Sequence, residues 1–172
     1  MISQQRWFTA CEHGDIIIVQ QNAAYCARSQ KPNGDTGLMV AVQQNHPQIF
    51  DCLLQREHSM RNAEGKSALM YAAALNNTSF IKKLMGYEMG MRDVQCKMAL
   101  DHATGEGARL LKVEQVYNKF QLDQFLPYLM EKVLLLNDKN ESDSPESHYQ
   151  PAAFDDPQMA QIVKKLAVLL QK

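Results

Sequence analysis

Hydrophobic residues recur in two alternating patterns along the first two thirds of the chain. Short segments such as Leu38–Val42 carry apolar residues three and four positions apart, which predicts a helix with one buried face. After a polar break, a second segment carries paired apolar residues, as in Ile49–Leu54. Helices this short are unstable alone in water, so we expect each to be stabilised by packing against its neighbours.

The two patterns together form a repeat of 31 residues. Between Leu38–Ala68 and Leu69–Ala99, ten of the 31 positions are identical, whereas ordinary composition gives about two by chance. Thr36 is the expected N-cap of the first helix, and Pro47 fits the first turn of the second. Stacked units of this kind bury one continuous core, so the sequence predicts a solenoid.

The repeated segments resemble the ankyrin repeat. Thr36–Val42 and Ser67–Ala73 fit the first block of the family signature, Thr-Pro-Leu-His-x-Ala-Ala. Trp7–Asp15 is similar to a divergent first repeat, and Ala99–Ala103 is similar to the start of a fourth. Ala68–Ala73 and the Glu-x-x-Met-Arg linker also resemble the ankyrin-rich protein 21.1 arrays of diplomonad protists and their Nek-associated relatives.

The resemblance implies an all-α ankyrin solenoid with short hairpin tips over residues 1–111. It contains about three repeats and a degenerate fourth. In that fourth unit, Gly105-Glu106-Gly107 interrupts the helical stretch. We therefore expect a shortened or irregular second helix around residues 108–117.

The repeat register is lost in the C-terminal part of the chain. Residues 112–136 are strongly apolar, which predicts a helical cap over the open end of the solenoid, with a separate partner-binding helix as the alternative. Residues 137–157 carry six acidic residues against one lysine, together with three prolines, and are typical of a flexible acidic linker. The apolar spacing of residues 158–172 predicts an amphipathic helix, which either docks back on the domain or mediates self-association.

Composition and charge argue against nucleic-acid-binding, membrane-bound and secreted classes of protein. The 172 residues carry a net charge of −1, which gives no electrostatic reason to expect nucleic acid or a membrane surface as partner. No apolar run reaches the roughly 18 residues of a membrane span, and no secretory signal is visible. We expect a cytoplasmic protein, with nuclear and cytoskeletal locations left open.

Candidate catalytic and metal-binding chemistry is sparse. The four cysteines and five histidines show no ligand spacing, and the chain contains no P-loop or nucleophile elbow. We expect no cofactor, no metal and no enzymatic activity.

The resemblance implies that partners meet the turn tips and the exposed face of the first helices. We therefore expect a non-catalytic scaffold or adaptor that binds a partner protein through this concave face. The alternative is a self-assembling structural or cytoskeleton-associated component that oligomerises through residues 158–172. Tyr71 either anchors a partner or packs between repeats. The candidate partner-binding residues are Asn33, Asp35, Gln43, Gln44, Glu64, Lys66, Tyr71, Leu75, Gln95 and Lys97.

Overall fold

The computed structural model describes residues 2–120, and side chains up to Glu114. Over these residues it is all-helical, which confirms the predicted ankyrin-type solenoid. The predicted cap beyond residue 120, the acidic linker at 137–157 and the helix at 158–172 lie outside the described residues. The helices are α1 (Gln4–His13), α2 (Ile16–Cys26), α3 (Gly37–Gln43), α4 (Pro47–Glu57), α5 (Ala68–Ala74), α6 (Thr78–Glu88), α7 (Ala99–His102) and α8 (Gly105–Phe120).

The helices form two layers. The first helices of the units, α1, α3, α5 and α7, pack side by side, and each also packs against the second helix of its own unit. The expected helix starts are confirmed: the Thr36 hydroxyl accepts a hydrogen bond from the Met39 N–H, and α4 begins at Pro47. An isolated antiparallel bridge between Gln30 and Thr36 closes the first hairpin tip.

The core lies between the layers. Leu38 and Leu69, at equivalent positions of α3 and α5, are fully buried, and so are Ala41 and Ala72. Small side chains at these last positions let the first helices approach closely. Between the second helices, the rings of Phe50 and Phe80 stack with their centroids 4.5 Å apart. Each interior unit is therefore covered on both sides by its neighbours.

The fourth unit differs from the expectation. Its first helix, α7, is the short one, while α8 has 16 residues. The prediction of a shortened second helix is wrong, because the glycines begin α8 instead of interrupting it. The Gly107 N–H donates to Asn76 Oδ1 at 2.7 Å, and a Cβ on Gly107 would lie 2.9 Å from both Asn76 and Ile81. The glycines thus allow α8 to approach the preceding repeat, and α8 continues across the predicted boundary at residue 111.

Three buried glutamates join successive units. Glu57 is 1% exposed, and its two oxygens accept hydrogen bonds from the N–H groups of Arg28 at 2.9 Å and Leu38 at 2.6 Å. Arg28 belongs to the loop that leaves the first unit, and Leu38 lies in the first turn of α3, the first helix of the second unit. One carboxylate therefore fixes the position of one unit relative to the next, and we call this arrangement a glutamate joint. The equivalent bonds run to Glu88 from Ser59 and Leu69, and to Glu114 from Gly90 and Leu100.

Burial changes the titration of these three carboxyl groups. Desolvation raises the pKa of Glu57, Glu88 and Glu114 above the ordinary value of 4.5, because it penalises the charged form. The backbone N–H groups that bind the carboxylates act in the opposite direction and offset only part of this effect. The folded chain therefore binds these protons more tightly than the unfolded chain does.

The substitution Glu88→Gln tests whether this carboxylate holds the second and third units together. In Glu88→Gln, an amide NH₂ replaces one acceptor oxygen and faces the N–H of either Ser59 or Leu69. We expect the free energy of unfolding to fall by about 1–3 kcal/mol, the cost of an unsatisfied buried donor. Chemical denaturation followed by circular dichroism measures it. The control Glu64→Gln, at an exposed tip, should cost less than about 1 kcal/mol; equal losses in both variants contradict the assignment.

The raised pKa of Glu88 predicts the pH dependence of that loss. A carboxyl group whose pKa is higher in the folded state contributes stability below the unfolded value of 4.5 and loses it as the pH rises through the folded value. The stability difference between wild type and Glu88→Gln should therefore be larger near pH 4.5 than near neutral pH. Urea denaturation at both conditions measures it, and a difference that grows towards neutral pH would refute the assigned direction.

Candidate partner-binding surface

Three hairpin tips stack along one edge of the solenoid. We call residues 30–36, 61–67 and 92–98 together the tip ridge. The Ala63 N–H donates to the Asn33 carbonyl at 3.0 Å, and the Val94 N–H donates to the Glu64 carbonyl at 3.0 Å. These backbone bonds hold consecutive tips in register, so equivalent residues of neighbouring tips lie side by side.

The stacking of the tips explains their glycines. Gly34 has a φ of +84°, and a Cβ on it would lie 2.4 Å from the backbone nitrogen of Ala63. Gly65 has a φ of +74°, and its Cβ would approach the Val94 nitrogen to 2.9 Å. Cys96 occupies the same position in the third tip and adopts a φ of +62°. The turn geometry is thus retained where the glycine is not.

The structure separates the ten predicted residues by exposure. Leu75, at the end of α5, is 53% exposed, and Gln44 has the equivalent position at the end of α3. The half-buried members are Gln43, Lys66 and Tyr71, while Asp35 is buried. The exposed members are Asn33, Gln44, Glu64, Leu75, Gln95 and Lys97.

Asp35 has an internal role. Its carboxylate is 4% exposed, and it accepts hydrogen bonds from the Tyr71 hydroxyl at 3.0 Å and the Asn62 amide at 2.9 Å. Asn33 and Gln43 donate to its other oxygen at 2.9 and 3.1 Å. The carboxylate is thus saturated by uncharged donors from two repeats, so Asp35 stabilises the tips and offers no free oxygen to a partner.

Tyr71 packs between repeats, which is the second of its two expected roles. Its hydroxyl bridges to Asp35 of the preceding repeat, so the side chain packs between repeats. Burial and then the Asp35 carboxylate raise the pKa of Tyr71 to about 12, so the hydroxyl remains a donor at neutral pH.

Sequence reasoning missed the residues that fold the second and third tips. Asn62 Oδ1 accepts from the N–H groups of Glu64 and Lys66, at 3.0 and 2.9 Å. Asp93 is its equivalent in the third tip and binds the corresponding N–H groups of Gln95 and Lys97. The alignment of Asn62 with Asp93 was the available signal, because both side chains hydrogen-bond their own turn readily.

Asp93 also binds the following helix. Its Oδ2 lies 2.9 Å from Nε2 of His102, at the position that Tyr71 occupies one repeat earlier. Burial opposes the ionisation of Asp93, but the bonds from the Lys97 N–H and the His102 ring outweigh it and hold the pKa below 3.8.

A shallow groove of about 390 Å³ lies between α1 and the first tip. Lys31 crosses it, with Nζ 5.8 Å from the centre of the Phe8 ring and in an ion pair with Glu12. Gln4, Gln5, Thr9 and Pro32 complete its lining. Residues 2–120 contain no cluster of three or more potential metal ligands.

The comparisons with known proteins agree with the repeat geometry. The model of the ankyrin-repeat family, with three copies, matches residues 7–98. No curated protein matches the chain. Within the described part of the chain, no helix combines the length and apolarity needed to cross a membrane.

The two glycines Gly34 and Gly86 test the tip stacking as a matched pair. Gly34→Ala places a Cβ against the backbone of the next tip at a positive φ, and we expect it to cost about 1–3 kcal/mol of stability. Gly86→Ala lies in α6 with nothing within 4 Å of its Cβ, and we expect it to add about 0.5–1 kcal/mol. Thermal and urea denaturation measure both, and a Gly34→Ala variant as stable as wild type contradicts the stacking.

Proposed function

Because the chain belongs to the ankyrin-repeat family, whose members are generally protein–protein interaction modules, we propose that it is a non-catalytic scaffold or adaptor. A partner protein binds across the tip ridge and the exposed ends of the first helices, the concave face of the family. The observation that carries this proposal is the stack of tips joined by backbone hydrogen bonds, with Asn33, Glu64 and Gln95 exposed at equivalent positions.

Rigidity supports this function. Binding costs free energy whenever loops must be ordered at the interface. Here the tips are already fixed by bonds between repeats, and the first helices are fixed by the buried glutamates. A partner therefore meets a preformed surface and loses little affinity to ordering.

The anchoring contacts fall on two kinds of side chain. Leu75 is a large apolar residue that is 53% exposed at the end of α5, and covering it with a partner would remove apolar surface from water. Lys66 and Lys97 occupy equivalent positions of the second and third tips. The three side chains span the ridge and the helix ends, so together they define the face to be tested.

The cytoplasmic location and the finer resemblance to the diplomonad arrays stay predictions. Self-assembly through residues 158–172 is the competing function, and it rests on the apolar spacing of that segment alone. The two functions differ in what the chain captures: a different protein or itself.

Affinity capture from native lysate with quantitative mass spectrometry tests the proposed face. The variant Lys66→Glu/Leu75→Glu/Lys97→Glu is compared with wild type and with the control Ile17→Glu/Arg56→Glu/Lys83→Glu. The control makes the same changes of charge and apolarity at exposed positions of the second helices. Circular dichroism first establishes that all three proteins fold.

We expect a reproducible partner to be captured by wild type and control and lost by the Lys66/Leu75/Lys97 variant. A partner retained by that variant, or lost equally from both variants, contradicts the assigned face. Recovery of the chain alone favours self-assembly instead.

A further inference from the structure

Positive charge collects on the tip ridge. Its exposed or half-buried charged side chains are five cations and one carboxylate, that of Glu64. The other two carboxylates of the ridge, Asp35 and Asp93, are buried and bound by donors within the chain. A partner can form close ion pairs only with exposed groups, so Asp35 and Asp93 reduce the positive potential of the ridge but do not face the partner. The charged groups of the ridge that a partner can contact are therefore mostly cations, in a chain whose net charge is −1. The cations of the ridge are Lys31, Arg61, Lys66, Arg92 and Lys97, of which Lys31 is paired with Glu12 of α1 and Lys66 with Glu64.

Two of these cations are held in place. Arg61 Nη1 donates to the Arg92 carbonyl at 3.0 Å, and Arg92 Nη1 donates to the Cys96 carbonyl at 2.8 Å. Both side chains remain exposed, and each anchoring bond uses one of the five N–H donors of a guanidinium. The remaining donors form a planar fork that matches a carboxylate, and a pre-positioned fork loses little entropy on binding it.

An apolar line runs between the cations. Pro32, Ala63 and Val94 occupy equivalent positions of the three tips and are all exposed, Val94 by 70%. Because the tips are stacked in register, these three residues lie side by side. The ridge thus alternates carboxylate-binding groups with aliphatic contacts, which suits an extended chain of acidic and small apolar residues.

The same features disfavour a nucleic acid on the ridge. Single-stranded nucleic acids bind largely by stacking bases on aromatic side chains, and residues 30–36, 61–67 and 92–98 include no aromatic residue.

We propose that the tip ridge is a docking surface for an acidic polypeptide segment of a partner protein, recognised by the anchored forks of Arg61 and Arg92. This inference rests on the proposed function and names the chemistry of the partner. Carboxylates of the segment pair with the two guanidiniums, Lys66 and Lys97 add charge beside them, and small apolar side chains contact Val94.

Fluorescence anisotropy with the full chain tests the proposal. The probe is a short labelled peptide that alternates glutamate with alanine, and its counterpart alternates glutamine with alanine. Arg61→Gln/Arg92→Gln removes the forks. Arg6→Gln/Arg56→Gln removes the same charge at exposed positions outside the ridge, and Arg61→Lys/Arg92→Lys keeps the charge while changing the anchoring bonds.

We expect the glutamate peptide to bind and the glutamine peptide not to. Arg61→Gln/Arg92→Gln should weaken binding roughly fivefold or more, the combined effect of two exposed ion pairs. The control variant should stay within about twofold of wild type, because exposed pairs elsewhere do not contact the peptide. Arg61→Lys/Arg92→Lys should lose less affinity than the glutamine variant.

Several outcomes overturn the proposal. Equal weakening by the ridge variant and its control means that net charge alone attracts the peptide. Wild-type affinity in Arg61→Lys/Arg92→Lys means that positive charge alone, and not the guanidinium fork, recognises the peptide. Tighter, Arg61-dependent binding of an oligouridylate assigns the ridge to nucleic acid. Binding that appears only when Asp138, Glu141, Asp143 and Glu146 are changed to amides means that the chain's own acidic segment is the occupant.

The two proposals fail separately. If the peptide does not bind, but the Lys66/Leu75/Lys97 variant still loses a captured partner, the scaffold function stands and the acidic chemistry of the partner is wrong. If that variant loses nothing in the capture experiment, the assigned face itself is wrong.

Discussion

The glutamate carboxylate that accepts two backbone N–H groups is the interaction on which the stack depends. In a solenoid each unit contacts only its neighbours, so no distant contact can correct a misplaced unit. Glu57, Glu88 and Glu114 each bind one donor from the unit before and one from their own unit. A hydrophobic interface alone would tolerate sliding, whereas these directional bonds are satisfied in one arrangement. The desolvation that raises the pKa of these groups is the cost of that specificity.

The stacking of the tips depends on these glutamate joints. Once neighbouring first helices are fixed, the hairpins that precede them are brought close enough for the Ala63 N–H to reach the Asn33 carbonyl. That approach leaves room for no side chain at Gly34. It also brings Tyr71 and Asn62 to the Asp35 carboxylate of the preceding repeat. The exposed face is thus held from beneath by hydrogen bonds between buried groups, and these bonds make it rigid.

The sequence contained enough information for the repeat, the helix pairs and the helix starts at Thr36 and Pro47, because each of these is local or strictly periodic. The roles of Asp35 and Asn62 were hidden, since their donors and acceptors come together only in the folded stack. Glu57 and Glu88 are identical in the repeat alignment, yet identity does not distinguish a buried joint from an exposed charge. Glu114 could not be aligned with them, because it follows Glu88 by 26 residues instead of 31. Gly105 and Gly107 suggested a break in a helix, when the close approach of Asn76 required them.

The spacing of 26 residues between Glu88 and Glu114 determines where further repeats can be added to the array. The second and third units present the same joint at both ends, so an additional copy of residues 38–68 placed between them would meet matching donors and a matching carboxylate on each side. The fourth unit, with its four-residue α7 and early α8, does not reproduce the interval that a following unit would need. Gene duplication, or a designer, can therefore lengthen this array between its second and third units.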